Sequence, residues 1–368
     1  MKVALVYDRV NKWGGAERVL LTLHQMFPDA PLYTSVCDEK KAPWAKVFPK
    51  IYTSFLQKIP FAKSNHEFLG TFMPLAFELF NFDKYDLVIS VTSEAAKGII
   101  TKPQTKHICY CLTPTRYLWS GYSFYFRNPI LKFFAFPVIL YLRNWDKIAA
   151  QRPDVMLAIS NTVQGRIKKY YNRESQIIFP PVETLRTGQV KKNKGNYYLV
   201  VSRLVAYKNV DLAIKVFNRL RYSLYVVGKG SQENKLKQMA SYNIKFFSEV
   251  SEDKLINLYS GARALIMPQE EDFGITSLEA QGLGVPVIAY KKGGVLDSVV
   301  DGRTGVFFNK QTEADLKGAI AKFEKMSFNL MYLVKNAEKF SKETFKKQLQ
   351  GTLVRINFGW RRRNKALA

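Results

Sequence analysis

The chain has 368 residues, which is too long for one ordinary hydrophobic core. Its residues are 47% hydrophobic and 23% charged, which is the composition of a globular protein. Its three cysteines argue against a disulfide framework and favour a reducing compartment. The formal net charge of +26 favours binding of polyanions, which could be nucleic acid, anionic lipid head groups or phosphorylated substrates. The first residues lack a signal-peptide pattern, and no run reaches the roughly 18 apolar residues of a spanning helix, so we expect a cytoplasmic protein.

In the first half of the chain, short apolar runs alternate with amphipathic stretches. The first run is followed by a glycine pair and by a stretch with Val19, Leu23 and Met26 on one helical face. This alternation predicts buried parallel strands with helical crossovers, the strands being residues 3–7, 87–91, 108–112 and 155–159. Cys109 and Cys111 lie in one of them and are interpreted as core residues, because no second Cys or His cluster completes a metal site.

The second half repeats the pattern. A helix with Leu212, Val216 and Leu220 on one face follows the first of six predicted strands, which are residues 197–201, 224–227, 244–247, 264–267, 285–290 and 306–308. Between the halves, two prolines and the polar, lysine-rich stretch 187–196 predict a boundary. We expect domains at 1–182 and 183–345. Residues 346–368 would form a C-terminal helix and basic tail returning to the first domain, with the helix ending near residue 356.

Residues 268–284, PQEEDFGITSLEAQGLG, contain the most informative motif. They follow a predicted strand, and open parallel sheets bind ligands at that end of their strands. Phe273 and Gly274 predict a tight turn, and a helix from Ile275 would offer free N–H groups to an anion such as a diphosphate. Glu271 and Glu279 stand eight residues apart, in E-x7-E spacing, the first in the loop and the second in the first helical turn.

Two alternatives compete with a binding role for this segment. Thr276-x-x-Glu279 matches a capping box, which would serve only the end of the helix. Glu271 lies in a run of three acidic residues and could be a solvated loop side chain.

Cations and glycines follow other predicted strands. Arg203 and Lys208 stand at one strand-to-helix junction, where two cations suit a diphosphate leaving group, although 56 basic residues make such a pair common by chance. Gly14 and Gly15 permit close approach to a phosphate or sugar, or form a simple turn. Gly228-x-Gly230 lacks the full dinucleotide fingerprint.

The missing motifs exclude several enzyme classes. There are three histidines and no H-E-x-x-H, G-x-S-x-G or G-x-x-x-x-G-K-[ST] sequence. Zinc chemistry, hydrolytic triads and P-loop phosphoryl transfer therefore lose support, and we expect neither metal nor cofactor.

Taken together, these motifs resemble glycosyltransferase family 4, and they occur in order along nearly the whole chain. The resemblance is closest to mannosyl- or rhamnosyltransferase-like members that build surface polysaccharides. It rests on the Gly14-Gly15-Ala16-Glu17 loop, residues 113–117, 143–146, 159–161, 180–182 and 202–204 with Lys208, residues 271–280, 293–294 and 301–305. It implies an α/β GT-B fold, in which two Rossmann-like domains face each other across a cleft.

The resemblance also implies roles at matching positions. Arg203 and Lys208 would hold the donor's diphosphate, Glu279 would bind the ribose, and the backbone near Val250 would meet the base. Glu271 and the backbone of residues 273–275 (Phe273, Gly274 and Ile275) would position the sugar. Gly14 and Gly15 would close over the phosphates.

One residue departs from the family pattern. Many members carry a histidine where this chain has Leu112, which cannot hydrogen-bond a sugar hydroxyl. The departure puts the sugar, or activity itself, in question. Retention in the family is described as front-face displacement assisted by the leaving phosphate, which can proceed without a protein base, so a working enzyme is still favoured.

The sequence therefore predicts a metal-independent, retaining glycosyltransferase. It would transfer a hexose from a nucleoside diphosphate sugar to a glycan or lipid-linked acceptor. The first choice of donor is GDP-mannose, which supplies mannose. The alternatives are a GT-B nucleotide-sugar epimerase, a non-catalytic nucleotide-sugar binder and a nucleic-acid-binding protein. The last is suggested only by the charge, since no nucleic-acid motif occurs.

Residues 122–152 predict a peripheral contact with the inner face of an anionic membrane. Aromatic side chains are interleaved with cations there, as an interfacial segment requires. The aromatics include Phe133 and Phe134, and the cations are Arg127, Lys132, Arg143, Lys147 and Arg152. The alternative is that the aromatics are core residues. Pro129 and Pro137 predict a broken segment rather than one continuous helix.

Overall fold

The computed structural model describes residues 1–60, 66–126, 128–183 and 195–365. The chain forms two compact units: unit 1 is Met1–Pro180 with Lys346–Ala368, and unit 2 is Pro181–Phe345. Residues 187–194 of the predicted boundary stretch 187–196 lie outside the described residues. The same is true of Arg127 in the predicted membrane segment.

Unit 1 is built on a seven-stranded parallel sheet with strand order β3-β2-β1-β4-β5-β6-β7. All residues of β1 and β4 are buried, as expected for central strands with both faces covered. The strands are β1 Val3–Tyr7, β2 Leu32–Thr34, β3 Ile51–Thr53, β4 Leu87–Thr92, β5 Lys106–Cys111, β6 Val155–Ala158 and β7 Gln176–Ile177.

The helices of unit 1 connect these strands. They are α1 Gly15–Met26, α2 Met73–Glu78, α3 Tyr122–Tyr125, α4 Pro129–Ala149 and α5 Asn161–Tyr171. The last helix of the chain, α13, spans Lys342–Lys365, so most of it belongs to unit 1. The basic tail predicted after residue 356 is therefore helical as far as Lys365.

Unit 2 is built on a six-stranded parallel sheet with order β10-β9-β8-β11-β12-β13. The strands are β8 Tyr197–Val201, β9 Ser223–Val227, β10 Ile244–Phe247, β11 Leu265–Met267, β12 Val287–Tyr290 and β13 Gly305–Phe308. The helices are α6 Val210–Leu220, α7 Glu233–Met239, α8 Glu252–Gly261, α9 Ile275–Gly282, α10 Val295–Ser298, α11 Glu313–Glu324 and α12 Leu330–Glu338. Apolar clusters cover both faces of the sheet.

The fold confirms the predicted α/β class, with two parallel sheets in Rossmann-like halves. All ten predicted strands are present within two residues of their predicted limits, whereas β2, β3 and β7 were not predicted because two or three residues carry too little periodicity. Cys109 and Cys111 are buried and unbonded to each other, and burial raises the pKa of Cys109 to about 11.

The predicted break in segment 122–152 is wrong for residues 129–149, which form one continuous helix, α4. Pro129 opens the helix, where a missing N–H costs nothing. Pro137 stands inside it and gives up one hydrogen bond to the carbonyl four residues earlier. Pro137 itself is exposed. Among the described residues, no helix combines the length and hydrophobicity needed to cross a membrane.

Candidate functional site

The loops after β8 and β11 form the candidate site in unit 2. These strands are neighbours in the parallel sheet, with Leu199 paired to Leu265, so both loops emerge at the same sheet edge. The loop after β8 carries Arg203 and Lys208, and the loop after β11 carries Glu271. Cations and carboxylate far apart in sequence thus meet where parallel sheets bind ligands.

Lys208 and Glu271 form a direct ion pair. Lys208 Nζ donates to Glu271 Oε1, and Gln269 Nε2 donates to the same oxygen at 2.9 Å. The Lys208 side chain is 9% exposed and that of Glu271 17%. The alternative of a solvated loop acid is therefore wrong, because Glu271 is partly buried and satisfied by two donors. Lys208 does not open a helix as predicted; it ends a short 3-10 turn, two residues before α6.

Arg203 is exposed and is held at the same edge by Tyr207. Its guanidinium donates to the Tyr207 hydroxyl and lies 5.8 Å from the ring centroid. Lys208 Nζ lies 5.3 Å from the same centroid. The Tyr207 ring therefore contacts both cations assigned to the diphosphate. Sequence reasoning did not single out this tyrosine.

Gly228 and Gly230 support the loop that carries Arg203. The N–H of Leu204 bonds to the carbonyl of Lys229 at 2.8 Å. Gly228 has φ +141°, and a Cβ there would lie 1.9 Å from the Ser202 carbonyl oxygen. These glycines serve close packing between two loops, which explains why they occur without the rest of a dinucleotide fingerprint.

The loop 271–274 is fixed from the next strand along. The N–H of Gly294 donates to the Glu271 carbonyl at 2.7 Å, and a Cβ on Gly293 would lie 2.3 Å from that oxygen. Phe273 is buried and packs against Phe340, with ring centroids 5.8 Å apart. Gly274 precedes α9 in the left-handed conformation, so the helix begins at Ile275 as predicted.

Glu279 lies one turn further along α9 than predicted, at its fifth residue. The capping-box alternative is wrong, because the residue before the helix is Gly274, which supplies no side-chain cap, and Thr276 is already inside. Instead, Glu279 Oε2 accepts a hydrogen bond from the hydroxyl of Tyr259 at 2.8 Å, and Tyr259 is 2% exposed. A buried tyrosine thus orients the carboxylate assigned to the ribose. Val250 lies between β10 and α8 and is half-buried against the apolar cluster that contains Tyr259.

Gly14, Gly15 and Leu112 belong to unit 1. Gly15 begins α1 and Gly14 precedes it, packed near the carboxylate of Glu17, which is buried and accepts from the Tyr7 hydroxyl at 2.6 Å. Leu112 directly follows β5 and is half-buried. The roles of the two glycines toward a donor stay predictions.

The carboxyl ends of the unit 1 strands carry charged residues that sequence reasoning missed. Asp8 follows β1 and accepts hydrogen bonds from the N–H groups of Ser93, Ala95 and Ala96 at 2.7–3.0 Å, which fixes the loop after β4. Beside it, Arg9 forms an ion pair with Glu94. The sequence signal that could have identified Asp8 and Arg9 is their position directly after a predicted strand.

A buried network in unit 1 uses residues of two motifs that carry the family resemblance. Asp146 is 1% exposed and pairs with Lys97 at 2.5 Å. It also accepts from Thr115 at 3.0 Å, Trp119 at 2.7 Å and Tyr171 at 2.8 Å. Four donors satisfy the carboxylate, so these motif residues stabilise the fold around β5.

No group of three or more His, Cys, Asp or Glu side chains with metal-binding geometry occurs in the described part of the chain. The expectation of a reaction without metal or cofactor stays a prediction.

The comparisons with known proteins agree with this architecture. Residues 181–346 match the sequence profile of the family described as Glycosyl transferases group 1. The O-antigen chain mannosyltransferase RfbU of Salmonella typhimurium is 32% identical over 160 residues, covering 40% of this chain and 45% of that protein. The alpha-1,3/1,6-mannosyltransferase ALG2 of Dictyostelium discoideum is 26% identical over 329 residues, covering 75% and 76%.

An uncharacterised glycosyltransferase of Methanocaldococcus jannaschii is 24% identical over 208 residues. The match spans 58% of its length, so the alignments cover only about half of this relative and of the Salmonella enzyme.

Solved structures share the fold. Sucrose-phosphate synthase from Thermosynechococcus elongatus superposes with a TM-score of 0.73 at 16% identity, covering 98% of this chain and all of that one. HepE from Anabaena, solved with UDP-glucose, gives 0.70 at 17% identity over 96% of this chain and all of that one. The chain therefore has the GT-B fold of glycosyltransferases, and its second unit carries the sequence match to glycosyl transferases group 1.

Proposed function

We propose that this chain is a retaining glycosyltransferase of family 4 that transfers a hexose from a nucleoside diphosphate sugar. The observation that carries the proposal is the cluster of Arg203, Lys208 and Glu271 at one sheet edge of unit 2, in the segment that matches the glycosyltransferase family. Two cations and a carboxylate there suit a donor with an anionic diphosphate and a neutral, hydroxylated sugar.

The proposed chemistry is largely electrostatic. Arg203 and Lys208 would stabilise the charge that develops on the departing diphosphate, and the leaving phosphate would assist attack on the same face of the sugar. Glu271 would bind sugar hydroxyls, with the backbone of residues 273–275 beside it. Glu279 would accept a hydrogen bond from the ribose and Val250 would meet the base.

The ion pair gives Lys208 and Glu271 a second function in this scheme. Each group is partly buried and would be costly to leave alone, so the pair keeps both charged and in place before the donor binds. Gln269, which donates to Glu271, holds the carboxylate when Lys208 turns toward phosphate. The site is thereby arranged in advance for a charged ligand.

Mannose and GDP are the proposed sugar and base. The support is that two of the relatives are mannosyltransferases. Anabaena HepE was solved with UDP and with UDP-glucose, so the base must be determined directly. A glycan or lipid-linked acceptor in polysaccharide or glycolipid synthesis, and a location in the cytoplasm at the inner membrane face, complete the proposal.

A ligand screen tests the donor assignment. Thermal shift measurements of the whole chain with GDP, UDP, ADP, GDP-mannose and UDP-glucose should show the largest stabilisation with GDP-mannose or GDP, since stabilisation grows as RT ln(1 + [L]/Kd). The control is Arg203→Ala, which should fold normally because Arg203 is exposed, and should lose most of the shift. If none of these nucleotides raises the melting temperature, the proposal is contradicted.

Product analysis separates the enzyme from its alternatives. Release of GDP from GDP-mannose, as slow hydrolysis or as transfer to an acceptor extract, supports a transferase. Conversion of a UDP-sugar to its epimer without acceptor identifies an epimerase instead. Binding without turnover identifies a non-catalytic protein, which is the outcome expected if Leu112 cannot replace the histidine of other members.

A further inference from the structure

Helix α4 of unit 1 exposes a long apolar face. Its buried side contains Ile139 and Leu142, which pack with Leu118, together with Asp146. On the opposite side, apolar side chains recur at the 3.6-residue period and are 40–76% exposed; they are Ile130, Phe133, Phe134, Val138, Tyr141 and Ile148. Pro137 is also exposed on this side. We call these seven residues the α4 stripe.

The exposure is unusual for a water-facing helix. Phe133 and Phe134 are 76% and 73% exposed, and their rings contact each other at 5.6 Å. A helix that is apolar on both sides is expected to be covered on both sides. Contiguous apolar patches of this kind on soluble proteins mark interaction sites. The alternative prediction, that these aromatics are core residues, is wrong for the α4 stripe.

A neighbouring helix also exposes apolar side chains. Trp145 Nε1 donates to Glu78 at 2.7 Å, and Arg152 pairs with the same carboxylate at 2.6 Å. Glu78 ends α2, around which Leu75 and Leu79 are 48% and 65% exposed. Exposed apolar side chains are therefore also present on α2, which is tied to α4 through Glu78.

The exposed charges on α4 itself are positive. By the helical period, Lys132, Arg143 and Lys147 form a row along one border of the α4 stripe. Lys132 and Lys147 are exposed. The one acidic residue of α4 is Asp146, which is buried and paired with Lys97, so the helix presents no exposed carboxylate.

We propose that the α4 stripe lies in the interfacial region of an anionic lipid bilayer, parallel to its surface. The apolar side chains would enter the head-group boundary while the cation row contacts lipid phosphates. A protein partner would match an apolar face equally well, but the bordering cations, the absence of exposed acid on α4 and the net charge of +26 favour a negatively charged surface.

This inference deepens the proposed location at the inner membrane face by naming the surface that makes the contact. It does not depend on the glycosyl-transfer site, since no residue of it lies in unit 2. It specifies where a lipid-linked acceptor would be met. Its test therefore measures binding to vesicles and not activity.

The experiment is sedimentation of the whole chain with phosphatidylcholine vesicles containing 0, 15 and 30% phosphatidylglycerol. Bound fraction should rise with anionic lipid and fall at least tenfold at 0.5 M NaCl. Phe133→Ser with Phe134→Ser should lower the partition coefficient at least tenfold. Lys132→Gln with Lys147→Gln should lower it about 25-fold, from about 1 kcal/mol for each cation.

A matched control lies in unit 2. Leu330 and Met331 are adjacent, exposed apolar residues at the start of α12. Leu330→Ser with Met331→Ser should leave vesicle binding within twofold of the wild type. Circular dichroism and the melting temperature of each variant verify that it is folded.

A depth measurement completes the test. Phe134→Trp should give tryptophan emission that is quenched by lipids brominated in the acyl chain. No binding to 30% anionic vesicles at low salt overturns the proposal. So does a dimer in sedimentation velocity that Phe133→Ser with Phe134→Ser dissociates while vesicle binding is unchanged, because the stripe would then be covered by a second copy.

Discussion

Replacing Lys208 by alanine should affect catalysis and stability, whereas replacing Arg203 should affect catalysis alone. Both cations are assigned to the donor diphosphate, and a lost charge-assisted contact to phosphate costs about 1.5–3 kcal/mol, or roughly 10- to 150-fold in rate. The two residues differ in their surroundings, because Lys208 is buried against Glu271 and Arg203 is exposed.

The stability cost follows from the ion pair. Removing one partner of a fully buried pair costs about 3–5 kcal/mol. Glu271 retains Gln269 at 2.9 Å and is 17% exposed, so Lys208→Ala should cost less, about 2 kcal/mol. For a unit of this size that corresponds to roughly 4–8 °C in melting temperature. Arg203→Ala should change unfolding free energy by less than about 0.5 kcal/mol.

The assays are donor turnover and thermal unfolding of the same preparations. Lys208→Met with Glu271→Gln serves as a control, because two neutral side chains should restore most of the melting temperature without restoring turnover. Near-wild-type turnover in both single variants would refute the diphosphate assignment. An unchanged melting temperature in Lys208→Ala would refute the energetic importance of the ion pair.

Four further predictions follow from individual contacts. Glu271→Gln should lower sugar transfer at least tenfold while GDP affinity, measured by calorimetry, changes less than threefold, since GDP lacks the sugar; an equal loss of both contradicts this. Glu279→Ala should weaken nucleotide binding with little change in melting temperature, and Tyr259→Phe should weaken it less, because the carboxylate remains without its orienting hydroxyl; a large destabilisation by Glu279→Ala with unchanged affinity would show a structural role instead. Burial and the nearby arginines lower the pKa of His107 to about 3, so the unfolded state binds a proton first as pH falls below 6.5; unfolding free energy in urea should drop by up to about 1.4 kcal/mol per pH unit from pH 6.5 to 5, and His107→Gln should flatten that slope. Activity should survive EDTA, and complete loss that manganese or magnesium restores would contradict the metal-independent proposal.

The sequence was sufficient to predict ten of the strands and the helical crossovers that follow them, but not the short strands β2, β3 and β7 or the continuity of α4. Buried parallel strands are short, continuous apolar runs, and the crossovers have the helical period, so each element has a local signature. The segment with Glu271 and Glu279 could be assigned to a strand end for the same reason. The position of Ile275 at the start of α9 also followed from local turn chemistry, with Gly274 before it.

The tertiary structure alone decided which side chains meet. Lys208 and Glu271 are 63 residues apart in the chain, and their pairing depends on β8 and β11 being neighbours in the sheet. Likewise, Tyr259 is 20 residues from Glu279, and no local pattern distinguishes a carboxylate held by a buried hydroxyl from one in a capping box.

The surface of α4 shows the same limit of sequence information. Phe133 and Ile139 are equally hydrophobic, yet one is 76% exposed and the other 4%. A helix that is apolar on several sides does not reveal which side the sheet will cover, because that depends on the packing of distant elements. Composition therefore determined that the segment would be apolar and basic, and the packing of unit 1 determined which of its residues remain free to bind a partner.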